Sequence, residues 1–290
     1  MGRTTHTTLV NRRVDWASYL ADFHQAHPGI TEDVLTRCRD TRSQNPYEWL
    51  VDGVGPGARV LDVGCGSAPS QPLVGPAWIG IDRSSAELHR AQITRRADVV
   101  RADAILLPIR SCSVDVVVCS LALMLFDNVD AALFEIARVL VPGGELRATL
   151  PHHKSLTARD RLQYAGLASA ARAIPRFPAT PLDGGLEAFR DTGLGVTSDE
   201  ARRFTYPLDD PQAIKLFVDS WYTSREPTAS ERARSTPLPR GRRRTIGIGL
   251  RRIIARRQPT FERASFGDSM EETRDVVGFP ARHPGDGKDP

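Results

Sequence analysis

The residues best placed to do chemistry begin at Val60-Leu61-Asp62-Val63-Gly64-Cys65-Gly66-Ser67, an apolar strand running into a glycine-rich turn. Glycines there let a ligand come close to the main chain, because a Cβ would collide with it. A dinucleotide site needs G-x-G-x-x-G, but Pro69 stands in the third glycine position. Pro72, Gly75 and Pro76 spoil the helix whose N-terminus would hold a pyrophosphate. Asp62 also repels an anion and attracts an ammonium or sulfonium group. Twenty residues on, Trp78-Ile79-Gly80-Ile81-Asp82 ends a second strand in a carboxylate whose two oxygens suit a ribose diol. A third strand ends in Arg101-Ala102-Asp103-Ala104, with Leu107-Pro108 beyond. Three successive strands thus each deliver an acid to one edge.

The elements that position these acids read as short apolar runs alternating with helical segments, the pattern of parallel strands buried on both faces. Strands are expected at Arg59 to Val63, Trp78 to Asp82, Asp98 to Arg101, Val114 to Ser120 and Glu145 to Leu150. Helices are expected at Ala86 to Arg95 and Ala131 to Leu140, the latter ended by Pro142-Gly143-Gly144. Strand and helix in alternation predict an open α/β sheet with its binding sites at the carboxyl ends of the strands.

Upstream, Trp16, Tyr19, Leu20 and Phe23 fall on one helix face, which Pro28-Gly29 stops. A second helix is expected from Thr31, whose hydroxyl can cap it, with Glu32 and Asp33 in the first turn. After Pro151 the regularity weakens. Leu186 to Thr192 reads as a helix and Gly195 to Leu208 as containing a strand, while Ile214, Phe217, Val218 and Trp221 mark an amphipathic helix. The aromatics Phe217, Trp221 and Tyr222 either cover a pocket or simply fill the core. Ile246, Leu250, Ile253 and Ile254 give another helix-spaced stripe, Asp275 to Phe279 a last strand, and Pro284 to Pro290 a disordered tail.

From Val60 to Pro151 the chain closely resembles the class I S-adenosylmethionine-dependent methyltransferases. The resemblance rests on the glycine turn at Asp62-Val63-Gly64-Cys65-Gly66, on Asp82 and Asp103, on the strand Val114 to Ser120, and on Glu135-Ile136-Ala137-Arg138-Val139-Leu140-Val141-Pro142-Gly143-Gly144. It implies a Rossmann-like, doubly wound α/β fold with a mostly parallel seven-stranded sheet carrying helical N-terminal and C-terminal additions. It implies S-adenosyl-L-methionine as cofactor and S-adenosyl-L-homocysteine as product. By that resemblance Asp62 helps hold the methionine amino group, and the backbone of Gly64, Cys65, Gly66 and Ser67 packs on the methionine part. Asp82, with Arg83 beside it, takes the ribose; Asp103 and the Ala104 N–H meet the adenine; Ser120 and Leu121 border the sulfonium. One departure stands out: Ala68 occupies the family's third glycine position. Only residues 66 to 76 join the first two strands, so the usual first helix is expected to be short or irregular.

Methyl transfer needs little beyond positioning, and a base only where the acceptor must lose a proton. His152 and His153, just past the fifth strand, are the candidates for that base; a solvated loop pair is their plainer fate. No metal is called for. The division expected is a helical N-terminal extension over 1–55 contributing to an acceptor pocket and a cofactor-binding core over 56–151. Residues 152–280 then complete the sheet and carry a cap and an arginine-rich segment, followed by a disordered tail over 281–290.

Composition bounds the partners. With 290 residues, 40% apolar and 26% charged, the chain can bury a substantial core, and its longest uncharged apolar stretch, Val116 to Phe126, is too short to span a bilayer. Met1 to Asp15 lacks the apolar core of a secretory signal, and Met1-Gly2 fails as a myristoylation site because position six is His6. Cys38, Cys65, Cys112 and Cys119 have no CxxC spacing, and the two central ones fall in runs that read as strands, so reduced thiols in a cytoplasmic protein are expected. The net charge of +4 conceals a local +9 between Arg225 and Arg257, leaving −5 elsewhere. Eleven arginines there offer an alternative, a ribosomal or transfer RNA methyltransferase using 225–257, against which stands the absence of interleaved aromatics. A membrane-surface helix is disfavoured by the same lack of aromatic anchors. A non-catalytic subunit that keeps the cofactor fold is a third reading, disfavoured because a scaffold need not retain three acids. The first expectation is an enzyme that methylates a small molecule; oligomeric state is not legible.

Overall fold

Along Val114–Ser120, successive side chains point to opposite sides of a sheet. Val117 and Cys119 join one buried cluster, whereas Val116 and Val118 join another; a register irregularity between Val114 and Val116 turns Val114 to the first. Both faces are covered, which is why the run is apolar throughout rather than alternating. The computed structural model of the chain describes residues 15–96, 98–174, 182, 186–222, 245–259 and 277–279. The expected segments over 1–14, 223–244 and 280–290, including the tail and most of the arginine-rich stretch, lie outside them.

Seven strands form one sheet in the order β3-β2-β1-β4-β5-β7-β6. They are β1 (Val60–Val63), β2 (Trp78–Asp82), β3 (Val99–Arg101), β4 (Val114–Ser120), β5 (Leu140–Pro151), β6 (Leu194–Pro207) and β7 (Thr245–Arg257). The first five are parallel, whereas β7 runs antiparallel to both β5 and β6. Register pairs Val63 with Ile81 and Asp82 with Arg101, so the carboxyl ends of β1, β2 and β3 reach a common edge. The doubly wound, mostly parallel α/β sheet anticipated from sequence is present.

One face packs on α5 (Val129–Val139) through Leu133, Ile136, Leu61 and Ile79; the other packs on α3 (Pro46–Val51) and α4 (Ser85–Ile93) through Leu50, Val60, Trp78 and Leu88. Each such side chain fully buried contributes about 1.5–3 kcal/mol. Ser84 caps α4 and Asn128 caps α5, fixing where the chain turns back. A single turn of 3-10 helix, Gln71–Leu73, is all that stands between β1 and β2, as the short crossover required.

The N-terminal helix α1 (Trp16–Ala26) is capped by Asp15. The next, α2 (Ile30–Leu35), is preceded by Gly29 in the left-handed region rather than capped by Thr31. A second layer of core joins α2, α3, α6 (Ala158–Ala171), α7 (Pro211–Asp219), β6 and β7 around Trp49, Phe204, Tyr206 and Phe217.

Several expectations are corrected. The stripe Ile246, Leu250, Ile253, Ile254 is the strand β7, not a helix: its β-branched residues favour a strand, and Gly247 and Gly249 disfavour a helix. Gly249 also passes so close to His152 that a Cβ would sit 2.1 Å from its carbonyl oxygen, an approach only glycine permits. Leu186 to Thr192 contains one 3-10 turn, Glu187–Phe189. Val277–Phe279 is not strand, though the Val277 N–H donates to the Pro108 carbonyl at 2.8 Å. Cys65 lies past the end of β1 and Cys112 is exposed before β4; of the four free cysteines, Cys119 is the one within a strand.

Candidate active site

The glycine turn is built by β1 and β2 together. Gly64 N–H and Cys65 N–H both donate to the Ile81 carbonyl, at 2.8 and 3.0 Å. Gly64 sits at φ +72°, and a Cβ there would lie 2.4 Å from the Ala122 Cβ, so the chain after β4 can close over the turn only because position 64 is glycine. Ala68, in place of a third glycine, adopts φ 62°.

Asp62 is 2% exposed. Its Oδ2 accepts a hydrogen bond from the Ser70 hydroxyl, whose oxygen accepts in turn from the Trp78 indole N–H at 3.2 Å. Its Oδ1 is buried without a protein partner. Burial pushes this carboxyl up to about 7; the Ser70 hydrogen bond lowers it and the charge of Asp82 raises it. Asp82 accepts from the Gly66 N–H and the Ser84 N–H, both at 2.8 Å, yet burial still holds its pKa above the usual carboxylate range. Asp103 is exposed and accepts from the Ile105 N–H at 3.2 Å.

These residues line two adjoining spaces. A cleft of about 560 Å³ runs over the ends of β2 and β3, bordered by Asp82, Arg83, Asp103 and the buried Ala104, with α1 forming its far wall through Leu20, Ala21 and His24. Arg83 pairs across its mouth with Asp127 at 3.2 Å. A smaller cavity of about 90 Å³ holds Asp62, Cys65, Gly66, Ser67, Ser120 and Leu121. Ser67 Oγ donates to Glu32, and Arg96 clamps the same Glu32 and the Ser67 carbonyl, so the turn is tied to α2. Gly64, Asp82 and His24 border both spaces.

A third cavity, of about 620 Å³, opens between α2, α6 and α7 and is lined by Val34, Leu35, Tyr164, Phe217 and Trp221. It shares Thr31, Leu121 and Tyr222 with the small cavity. The aromatic residues of α7 and the chain after it therefore border a pocket as well as the core. The two histidines part company. His153 lines the apolar cavity and is exposed, whereas His152 does not line it. Burial and the nearby Arg251 and Lys154 charges lower the His152 pKa.

Sequence reasoning missed His24 and Glu87, and named Tyr222 only as pocket cover or core. His24 Nδ1 lies 2.9 Å from Glu87 Oε1, and the Tyr222 hydroxyl lies 3.3 Å from His24 Nε2. The other Glu87 oxygen accepts from the Gly29 N–H at 2.8 Å. No spacing in the sequence joins residues so far apart. The described arginines of β7 are committed to this protein: Arg251 pairs with Asp199, Arg252 with Glu200, and Arg256 with Glu145. Arg257 donates to the Leu140 carbonyl.

A parallel sheet with a glycine turn after β1 and carboxylates at three neighbouring strand ends defines the Rossmann-like class of nucleoside-binding folds. Residues 61–148 match the family described as "Methyltransferase domain". Two curated relatives are named demethylmenaquinone methyltransferase. That of Renibacterium salmoninarum is 30% identical over 143 residues, 47% of this chain and 59% of its own length. That of Mycobacterium tuberculosis is 37% identical over 131 residues, 43% and 56% respectively. The chain thus spans a little over half the length of these relatives. In fold it is similar to the YcgJ protein of Bacillus subtilis, with a TM-score of 0.50, 17% identity, and coverage of 73% of this chain and 98% of the other. Residues 61–148 are thus similar to a methyltransferase domain, and the likeness to the Bacillus protein is one of fold.

Proposed function

We propose that this protein transfers a methyl group from S-adenosylmethionine to a small, largely apolar acceptor by in-line displacement. The observation that carries the reading is the unpartnered, buried Oδ1 of Asp62 in the small cavity. A buried carboxylate oxygen without a partner costs about 1–3 kcal/mol or more, and an ammonium group relieves that cost. Asp62 would hold the amino group of the methionine part, with Cys65, Gly66 and Ser67 alongside. Asp82, already oriented by two backbone N–H groups, keeps lone pairs for a ribose diol, and Arg83 flanks it. Asp103 and Ala104 stand where the adenine would lie, and Ser120 and Leu121 line the small cavity, Leu121 where it meets the acceptor space. When bound, the cofactor supplies a methyl group made electrophilic by a sulfonium.

The protein's part is positioning, for which effective molarities reach about 10⁵ M or more. The acceptor would occupy the apolar cavity beside Leu121, with residues 1–55 and 152–280 supplying most of its walls. The curated relatives are named for demethylmenaquinone, and their small-molecule acceptor supports this choice.

Calorimetry with S-adenosylmethionine tests the reading. Asp82→Ala is expected to weaken binding by about 1–3 kcal/mol through lost charged hydrogen bonds. Unchanged affinity overturns the assignment.

A further inference from the structure

Three residues from three separate parts of the chain meet where the acceptor cavity joins the cofactor cavity. Tyr222, just past α7, borders both cavities. Its hydroxyl lies 3.3 Å from His24 Nε2 on α1, and His24 Nδ1 lies 2.9 Å from Glu87 Oε1 on α4. A carboxylate accepts and does not donate, so the proton on the neutral imidazole belongs on Nδ1 and leaves Nε2 bare towards the phenol. Glu87 is 4% exposed and is itself fixed by the Gly29 N–H, so the ring is held in one tautomer and one orientation. A base within hydrogen-bond reach, oriented by a third group, is the arrangement that activates nucleophiles on unrelated folds.

We propose that Glu87, His24 and Tyr222 form a proton relay that deprotonates the acceptor, which is therefore an apolar molecule bearing a weakly acidic, aromatic-type hydroxyl. The proposal rests on the methyltransferase reading above and names the acceptor class of the same site. The acceptor O–H bond breaks and its proton passes to the Tyr222 oxygen, while the Tyr222 proton passes to His24 Nε2. The resulting imidazolium is neutralised through Nδ1–H by the Glu87 carboxylate. The electron pair left on the acceptor oxygen, or on a ring carbon conjugated with it, is the pair that bonds to the methyl carbon as the S–CH₃ bond breaks. In the carbon case the ring C–H proton leaves to water afterwards. Burial raises the Tyr222 pKa, with Glu87, Tyr19 and Asp82 adding to the effect, so the phenol works by passing a proton rather than as a standing phenolate. The aromatic lining from Tyr164, Phe217 and Trp221 suits a flat acceptor frame.

The test uses 4-nitrophenol and a series of substituted phenols and naphthols whose acidities run from about pKa 7 to about 10. At a fixed pH near neutrality, the visible absorbance of 4-nitrophenol bound to the wild type in the presence of S-adenosylhomocysteine is expected to show added phenolate. Tyr222→Phe and His24→Gln are expected to abolish that gain. In turnover, Tyr222→Phe should lose roughly 100-fold on the least acidic acceptors and little on the most acidic. Its affinity for S-adenosylmethionine, read by calorimetry, should stay within about twofold of the wild type.

An equal loss on every acceptor, no loss at all, or a fall in cofactor affinity that matches the fall in turnover overturns the relay and leaves these contacts as a latch on α1. Wild type that binds no S-adenosylmethionine refutes the methyltransferase reading itself. Wild type that binds the cofactor, yet neither ionises bound nitrophenol nor methylates any of the series, refutes the relay and its acceptor class alone.

Discussion

On the proposed reading, Asp62 carries two roles that pull against each other. Burial raises its carboxyl from the ordinary value of 3.8 to about 7, so ionising it in the folded protein costs energy that is not spent in the unfolded chain. For a group raised in this way, the stabilising contribution is complete below 3.8 and is lost as pH rises through about 7. At about 1.4 kcal/mol per pH unit the whole effect is at most on the order of 4 kcal/mol. Asp62→Asn should therefore melt above the wild type at pH 8, with the difference shrinking towards pH 4; equal melting points across that range would contradict the account. Cofactor binding follows the opposite sign. Below about pH 7 the neutral carboxyl offers no counter-charge to an ammonium group, so wild-type affinity for S-adenosylmethionine should rise through pH 7. In Asp62→Asn it should be nearly flat with pH and at least about tenfold weaker than the wild type at pH 8. Calorimetry at pH 6 and pH 8 decides between these.

At the scale of elements, two junctions are stretched tight enough to test. The turn after β1 fits beneath Ala122 because Gly64 lacks a Cβ. Gly64→Ala, which also places a side chain at φ +72°, is expected to cost about 1–3 kcal/mol in urea unfolding. A loss below the error of the measurement would mean that the chain after β4 gives way freely. The second junction joins α6 to β6 and β7. Asp160, fully buried, accepts from the Thr157 N–H and hydroxyl, from both arms of Arg203, and from the Gly247 N–H. The Arg203 guanidinium holds this carboxyl well below the usual range. Asp160→Ala strands those donors and should destabilise by about 3–5 kcal/mol. Because α6 walls only the apolar cavity, surviving folded protein should keep its affinity for S-adenosylmethionine, and parallel loss of that affinity would count against the separation of the two spaces.

For the whole molecule, the question is what closes the cleft above the sheet. Helix α1 forms one wall of the cleft over β2 and β3, the proposed cofactor site, but its buried residues Leu20 and Phe23 belong to a small cluster with Ile30 and Tyr222 rather than to the main core. Deleting residues 1–28 is expected to leave a cooperative unfolding transition intact while weakening S-adenosylmethionine binding at least about tenfold, or 1.4 kcal/mol. Cofactor affinity unchanged by the deletion would show that the cleft is complete without α1. The convergence of Asp62, Asp82 and Glu87 near this cleft also gives it a negative field suited to a cationic ligand. The positive excess noted from composition is, in the described part of β7, spent on Asp199, Glu200 and Glu145. No helix among the described residues is long and apolar enough to cross a membrane.

The amino-acid order by itself determined the parallel core and the three strand-end acids. Continuous apolar runs, a glycine turn and a carboxylate at each strand end are local signals, and parallel register then carries Asp62, Asp82 and Asp103 to one edge. It misread β7, since Ile246, Leu250 and Ile253 satisfy a helical spacing as well as a strand when both faces are buried; Gly247 and Gly249 held the missing clue. Only the tertiary structure decided that His153 borders the apolar cavity while His152 does not, and that His24, Glu87 and Tyr222 meet. Those three lie 63 and 198 residues apart along the chain. Local pattern constrains one element at a time, whereas a contact between α1, α4 and the end of α7 exists only after all three have packed against the sheet.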